Sequence, residues 1–180
     1  VDVNFKNYRG KNGFHFACEK GHTEIINLFL AREDLDVNSK DCNDTTGFHY
    51  ACGNGHTEIV NLLLARDNVE VNSTDKYGKT SLHRACGNGY TEVIKLLLAR
   101  DDVDVNSEDK EGKTGLHLAC EHLYDTSPLV VADIGALICT HRNMQPSELM
   151  KYVPESCPGA GIIEEIQISL SRKQQKSARK

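Results

Sequence analysis

A repeat of 34 residues constrains this 180-residue chain more than any other feature of its sequence. Shifting the sequence by 34 positions superimposes the same residue types four times: His15, His49, His83 and His117, and Cys18, Cys52, Cys86 and Cys120. A fixed period of this length is typical of a solenoid, in which each unit buries its apolar surface against its neighbours. The sequence therefore predicts a row of stacked units with no single central core.

Each unit carries the signals of two short helices, most clearly over residues 80–100. Thr80 is a suitable N-cap for the first helix, whose apolar positions fall on one stripe: Leu82, Ala85 and Cys86. Gly89 allows a left-handed end to that helix, and Thr91 is a suitable cap for the second helix. Arg100 places positive charge where the second helix is expected to end. One unit is therefore predicted to be a loop, a helix, a tight turn and a second helix.

Three recurring motifs resemble the ankyrin repeat family. The helix start reads Thr80-Ser81-Leu82-His83-Arg84-Ala85, the turn into the second helix reads Gly55-His56-Thr57-Glu58, and the loop entry reads Asp104-Val105-Asn106. The resemblance covers residues 1 to about 138 and implies an all-α solenoid with short β-hairpin loops. It also implies that each repeat histidine bonds a threonine hydroxyl and neighbouring backbone, which ties adjacent loops together. Those threonines are Thr46, Thr80 and Thr114.

The helix starts differ from the family pattern because glycine or serine replaces proline, at Gly13, Gly47, Ser81 and Gly115. Glycine in a helix costs roughly 0.5–1 kcal/mol relative to alanine. We therefore expect each repeat to have modest stability, with thermal unfolding in the ordinary mesophilic range.

The last third of the chain departs from the repeat. We divide the sequence into four repeats, a degenerate capping repeat and a basic tail: 1–36, 37–70, 71–104, 105–137, 138–172 and 173–180. The second helix of repeat four is expected to start near Ser127-Pro128 and to end at Gly135-Ala136.

Two capping helices are expected near 147–153 and 161–172, with Pro154 and Pro158 between them. The last ten residues carry five basic side chains and no acid, so we expect the end of the chain to be disordered.

Histidine and cysteine recur at a spacing that could hold a metal ion: His15, Cys18 and His22, and again His49, Cys52 and His56. We favour the alternative that these side chains belong to the framework of the repeat, because Tyr90 stands where the third repeat would need a ligand. We expect no metal, no cofactor and no catalytic residue.

Two further candidates for chemistry are weaker still. Cys42 lies at a predicted loop tip and could be a reactive thiol, and Gly159-Ala160-Gly161 faintly resembles a phosphate loop without its lysine. The stacked cysteines are excluded as disulfides, because packed helices lie roughly 8–10 Å apart and bridged Cα atoms lie within about 7 Å.

Surface positions are the more promising part of the sequence. The resemblance implies that partners bind the loop tips and the exposed face of the first helices. The candidates on the tips are Lys6, Tyr8, Arg9, Lys11, Lys40, Asn43, Thr45, Lys76, Tyr77, Lys79, Lys110 and Lys113. Those on the first helices are Phe16, Lys20, Tyr50, Asn54, Arg84, Asn88, Leu118 and His122.

The charges are expected to separate into a basic ridge along the tips and an acidic band after the second helices. The acids of that band are Glu33, Asp34, Asp36, Asp67, Glu70, Asp101, Asp102 and Asp104. We hypothesise that the ridge, with aromatic anchors at Tyr8, Tyr50 and Tyr77, docks an acidic segment of a partner protein. A solvated surface without a partner explains the same charges equally well.

Two function classes stay open: a protein-interaction scaffold, and a regulatory or targeting module of a larger enzyme or channel whose catalytic part lies outside this sequence. Nucleic-acid binding through the basic end is weaker, because the formal net charge is −5. We expect a monomer without a small-molecule substrate.

Composition also indicates the cellular setting. With no run of 18 apolar residues we expect no membrane partner, and seven cysteines, an odd number, favour the reducing cytoplasm or nucleus. Because Val1 falls within a repeat, we expect a fragment of a longer chain. The Val-Asn positions Asn38, Asn72 and Asn106 resemble asparagine hydroxylation sites of the family.

Overall fold

Nine α-helices and one 3₁₀ helix follow one another in a computed structural model, which describes residues 2–124, 126–143, 145–152 and 159–177. They are α1 (Gly13–Lys20), α2 (Thr23–Leu30), α3 (Gly47–Gly53), α4 (Thr57–Leu64), α5 (Ser81–Gly87), α6 (Thr91–Leu97), α7 (Gly115–Leu123), α8 (Pro128–Arg142), η1 (Pro146–Tyr152) and α9 (Gly159–Ser177). Equivalent helices of successive repeats pack on each other: α1 on α3, α3 on α5, α5 on α7, and α4 on α6. The predicted all-α solenoid is confirmed.

The loops between repeats are turns, and within the described ranges they contain no strand. Each is closed by one backbone bond of the kind that joins Asp75 N to Lys79 O at 3.0 Å. The β-hairpins implied by the resemblance are thus reduced to tight turns, because a single bonded pair is too short to form a ladder.

The first helix of each repeat begins as predicted. The backbone N–H of His83 donates to Thr80 Oγ1 at 3.4 Å, and the Thr80 N–H donates to His83 Nδ1 at 3.2 Å. This reciprocal pair satisfies two backbone donors at the start of α5. The predicted cap by Thr91 is wrong. Helix α6 starts at Thr91 itself, and its N-cap residue is Tyr90, whose side chain forms no cap. The Tyr90 backbone N–H closes the tight turn to Ala85 O at 3.0 Å.

The glycines at the helix starts make room for neighbouring side chains. A Cβ atom on Gly47 would lie 2.7 Å from the Phe14 ring and 2.9 Å from Cys18 Sγ. Phe14 and Cys18 are both fully buried, so the space beside Gly47 is occupied by the core of repeat one. The close packing that glycine allows between repeats therefore offsets its conformational cost.

The arginines after the second helices act on the preceding repeat. Helix α6 ends at Leu97, so the expectation that Arg100 closes its own helix is wrong. Arg100 Nη1 instead donates to the carbonyl of Leu64, the last residue of α4, at 3.4 Å, and Arg66 Nη1 donates to that of Leu30 at 3.2 Å. Each arginine thus places positive charge at the C-terminus of a neighbouring helix.

The predicted end of the second helix in repeat four, at Gly135-Ala136, is also wrong, because α8 continues to Arg142. A Cβ atom on Gly135 would lie 2.5 Å from Ile166 Cδ1, so this glycine marks a close contact with α9. Helix α9 packs along α8, and Cys139 remains buried beyond the expected end. The boundary drawn between residues 137 and 138 therefore falls inside a helix.

The capping segment agrees with the sequence in its main features. The first predicted helix, near 147–153, is the 3₁₀ helix η1, and the second lies within α9. Gly159 opens α9 and forms no separate phosphate loop. Helix α9 includes residues 173–177 of the basic tail. Pro154, Pro158 and residues 178–180 lie outside the described residues.

Candidate functional site

The loop tips are held in a row by one aspartate in each of repeats two, three and four, and by Asn7 in repeat one. Asp75 Oδ1 accepts from the backbone N–H groups of Tyr77 (2.8 Å) and Lys79 (2.9 Å), and the aspartates of repeats two and four do the same. One backbone bond then joins consecutive tips, as from Lys76 N to Asn43 O at 2.9 Å. The side chains on the tips therefore project from a fixed backbone.

Two of the repeat histidines, His49 and His83, bridge consecutive repeats. His83 Nδ1 lies 2.8 Å from Thr80 Oγ1, and His83 Nε2 lies 2.9 Å from the carbonyl oxygen of Lys113. His49 Nε2 also reaches the next repeat, but through a different carbonyl, that of Ser73, at 2.9 Å. The predicted threonine partners are confirmed: Thr46, Thr80 and Thr114.

Burial keeps the histidines and cysteines of the repeat neutral. It lowers the pKa of His49 to about 4 and raises the pKa of Cys86 to about 12, so both are neutral at pH 7. Among the described residues, no three His, Cys, Asp or Glu side chains are grouped as metal ligands. These side chains serve the packing of the stack.

Five cations on the tips are exposed, and we call them the tip ridge: Lys6, Arg9, Lys40, Lys76 and Lys110. Lys6 Nζ donates to the Lys40 carbonyl at 2.9 Å, and Lys76 Nζ to Asn43 Oδ1. No carboxylate within the described ranges forms an ion pair with any of the five. The tip ridge therefore presents positive side chains along one edge that are not engaged in ion pairs with the described residues.

Two other predicted tip lysines are committed to partners within the chain. Lys11 Nζ pairs with Glu19 at 2.8 Å, lies 4.1 Å from the centre of the Tyr50 ring and is 15% exposed. Lys113 Nζ lies 2.9 Å from carboxylate oxygens of both Glu111 and Glu121. Sequence spacing could not reveal these pairs, because they depend on how each loop folds onto its helix.

The three predicted aromatic anchors differ in accessibility. Tyr8 and Tyr77 are 87% and 56% exposed. Tyr50 is half-buried and donates its hydroxyl to Asp41 Oδ2 at 2.7 Å. Tyr8 and Tyr77 remain available to a partner, whereas Tyr50 belongs mainly to the framework.

Two candidates are removed from the surface. Thr45 is 2% exposed and Leu118 is 3% exposed, so the expectation that they are accessible is wrong. Thr45 accepts a hydrogen bond at 3.4 Å from Arg84, which reaches back across the repeat boundary. Leu118 packs on the first helix of the preceding repeat, because a Cβ atom added to Gly87 would lie 3.5 Å from the Cβ atom of Leu118.

The remaining helix candidates share one face of the stack. Phe16, Lys20, Asn54, Asn88 and His122 are exposed there. The two asparagines are anchored to backbone, as Asn88 Nδ2 donates to the Gly53 carbonyl at 3.0 Å.

An open groove of about 260 Å³ lies between α5 and α7, and we call it the α5–α7 groove. Its lining includes Asp75, Tyr77, Lys79, Arg84, Gly87, Asn88, Leu118 and His122. Arg84 Nη2 pairs with Asp75 Oδ2 at 2.7 Å in its wall. Most of these residues were predicted from the sequence. Asp75 was not, although aspartate recurs at positions 41, 75 and 109.

The asparagines of the Val-Asn motif tie each loop to the next. Asn72 Nδ2 donates to the Asp102 carbonyl at 2.6 Å, and its Oδ1 accepts from the Asp104 N–H at 3.0 Å. The side-chain amide is thus engaged on both sides, which gives this asparagine a structural role in the solenoid.

A second concave surface, of about 630 Å³, lies at the N-terminal end of the stack and is apolar. Phe5, Ile25 and Leu28 line it and are 75%, 45% and 72% exposed. The sequence did not single out Ile25 and Leu28, because their equivalents in later repeats are ordinary packing positions.

Stacked helix pairs, bridging histidines and projecting loop tips define this protein as a helical repeat solenoid. A family model described as Ankyrin repeats (3 copies) matches residues 1–75 and 67–138. The chain therefore belongs to the ankyrin repeat family, as the motifs predicted. Comparison with curated proteins finds no match.

Ankyrin repeats are generally protein–protein interaction modules. Along the described ranges, every helix is too short or too polar to cross a lipid bilayer.

Proposed function

We propose that this chain is a protein-interaction scaffold that binds an acidic segment of a partner protein. Binding takes place along the tip ridge and the neighbouring exposed face of the first helices. The observation that carries the proposal is the row of exposed tip cations without ion-pair partners among the described residues. Such a row favours an extended acidic chain, because charge complementarity steers the encounter and sets the register.

Two features of the tips support this function. The loop backbones are fixed by aspartate and by tip-to-tip bonds, so binding costs little ordering of the protein. Tyr8 and Tyr77 are exposed beside cations, with Lys76 Nζ 4.9 Å from the centre of the Tyr77 ring. Exposed tyrosines supply apolar contact area and a hydroxyl at low entropic cost.

The acids of the acidic band follow the second helices, and two of them are engaged in ion pairs. Asp34 and Asp102 pair with Arg32 and Arg100, both at 2.7 Å. These two carboxylates are therefore not available to the tips, which favours a partner that supplies the complementary charge.

The test is a comparison of proteins captured by the tagged chain, by a Lys40→Glu/Lys76→Glu variant and by a Lys95→Glu control. Lys95 is exposed on α6, away from the tips, so the control makes the same kind of charge change on another surface. We expect the ridge variant to lose partners that the control retains, with acidic segments in those partners. Identical capture by all three chains would contradict the proposal.

A further inference from the structure

We propose that the α5–α7 groove is the anchor point of the binding surface and takes up one acidic side chain, aspartate or glutamate, from the partner protein. This inference rests on the proposed protein-binding function and names a site within it. A guanidinium held by an ion pair lies at the opening of the groove, together with an ammonium and an amide oxygen that have no partner among the described residues.

The negative charge of the groove is hidden in its wall. The Asp75 side chain is 1% exposed. Its Oδ1 accepts from two backbone N–H groups, and its Oδ2 accepts from Arg84. Because both oxygens are satisfied from within the protein, Asp75 holds Arg84 in place and presents no carboxylate to the opening.

The positive charge is available. Arg84 is 28% exposed, and its Nη2 donates to Asp75 and Thr45. Its Nη1 finds no acceptor among the described residues, and neither does the buried Nε. Lys79, also in the lining, makes no ion pair there. With Asp75 cancelling one charge of two, the groove keeps a net charge of about +1, and a preorganised guanidinium favours a carboxylate.

Asn88 supplies an acceptor beside these donors. Its Nδ2 donates to the carbonyls of Gly53 and Arg84, both at 3.0 Å, whereas its Oδ1 has no partner within the described ranges. An acidic residue of a peptide offers a side-chain carboxylate and its own backbone N–H. The groove has groups to receive both.

The groove is open because residue 118 is leucine. At the equivalent position in repeat three, Arg84 extends across its own repeat boundary to Thr45. Leu118 is too short and too apolar to do this and lies buried. Gly87 leaves space at the base of the groove, because a Cβ atom there would lie 3.2 Å from His122 Nδ1.

The size of the groove limits the occupant. A volume of about 260 Å³ lies below the usual range of about 300–1,000 Å³ for small-ligand pockets, and it suits one side chain. In many protein interfaces a few residues anchored in pockets contribute most of the binding free energy.

The experiment uses the ¹⁵N-labelled chain and two capped heptapeptides of glycine and serine, with either glutamate or glutamine at the centre. NMR follows the Arg84 Nε–H signal and the backbone amides of Gly87 and Asn88 during titration. We expect the glutamate peptide to shift these signals saturably and the glutamine peptide to leave them unchanged.

Two variants and a control test whether the groove itself binds the glutamate side chain. Lys79→Gln should weaken the response about fivefold, as expected for loss of one exposed charge, and Lys95→Gln should not change it. Leu118→Arg should abolish the response by filling the groove, although it adds positive charge. Stronger binding by Leu118→Arg would show that the peptide is attracted by positive charge in general, and it would overturn the proposal that the groove is the anchor site.

The outcomes separate this inference from the proposed function. Saturable shifts at the amides of Lys76 and Lys110 without shifts in the groove would overturn the anchor site and leave the tip ridge standing. Equal shifts by both peptides would overturn the anchor site as well.

Discussion

At the scale of single residues, one loop position per repeat has a left-handed backbone: Gly10, Asp44, Gly78 and Gly112, with φ of 72°, 57°, 78° and 74°. Glycine adopts this conformation without steric cost, whereas a residue with a Cβ atom is strained there. Repeat two alone carries a side chain at this position. Asp44 is therefore a local weakness that the other three tips avoid.

We expect Asp44→Gly to stabilise the protein by about 0.5–1 kcal/mol, because relief of left-handed strain exceeds the added freedom of the unfolded chain. Urea unfolding monitored by circular dichroism measures the change. The reverse substitution, Gly78→Asp, serves as the control and should destabilise. A Cβ at residue 78 would also lie 2.9 Å from Lys110 N. Lower stability of Asp44→Gly would contradict this account of the tip.

The repeat histidines make stability depend on pH. Burial lowers the pKa of His49 from 6.5 to about 4, so the folded protein binds this proton less readily than the unfolded chain. The stabilisation is complete above pH 6.5 and is lost as the pH falls towards 4. His15, His83 and His117 shift in the same direction, also chiefly by burial.

We expect the free energy of unfolding to fall by about 2 kcal/mol for His49 alone between pH 7 and pH 5. Denaturant titrations at the two pH values measure the total, and NMR titration of the His49 ring assigns its share. A ring that titrates near 6.5 in the folded protein would refute the assignment.

At the scale of elements, the C-terminal helices replace the repeat that would follow. In the repeats, Asn72 Oδ1 accepts from the loop of the next unit at Asp104 N. With its amide oxygen turned towards α8, Asn106 accepts instead from Arg142, at 2.9 and 3.1 Å. His141 Nδ1 donates to the Leu98 carbonyl at 3.0 Å, beside the end of α6. The extension of α8 thus satisfies groups that a fifth loop would otherwise cover.

Helix α9 should therefore be held by its buried face. Ile166 is fully buried and Ile168 is 43% exposed on the same helix. We expect Ile166→Ala to destabilise the protein by about 2–4 kcal/mol and to loosen α9, and we expect Ile168→Ala to change stability little. Hydrogen exchange of the α9 amides, measured together with urea unfolding, distinguishes the effects of the two substitutions. Equal effects of both substitutions would mean that α9 is not docked through this face.

At the scale of the whole molecule, the two ends of the stack differ. The C-terminal end is covered by α8 and α9, whereas the N-terminal end exposes an apolar face. Ile25 is 45% exposed there, and its equivalents Ile59 and Val93 are fully buried. The face is thus the surface that each later repeat buries against its predecessor.

We expect one more copy of residues 35–68, fused in phase before Val1, to cover this face and raise the melting temperature by several degrees, because each interface between neighbours adds stability in a solenoid. The same fusion carrying Ile25→Glu should show little of the gain. Differential scanning calorimetry of both fusions and the parent chain makes the comparison. A melting temperature unaffected by the added copy would contradict nearest-neighbour stacking at this end.

The sequence predicted what repetition determines. Thr80 and His83 recur with one spacing, so their capping and bridging bonds followed from the family pattern. The buried stripe of Ala85 and Cys86 followed from helical periodicity. The accessible cations were only partly predictable, because Lys11 and Lys76 look alike in sequence and differ in whether a carboxylate lies within reach.

By itself, the sequence determined the solenoid, the helix starts of its repeats and the lysine-rich tips, since each depends on contacts that recur every 34 residues. Tertiary structure alone decided the burial of Thr45 and Leu118, the opening of the α5–α7 groove and the length of α8. Each of these depends on the size and charge of side chains that meet only after the repeats have packed, and such meetings have no fixed spacing along the chain.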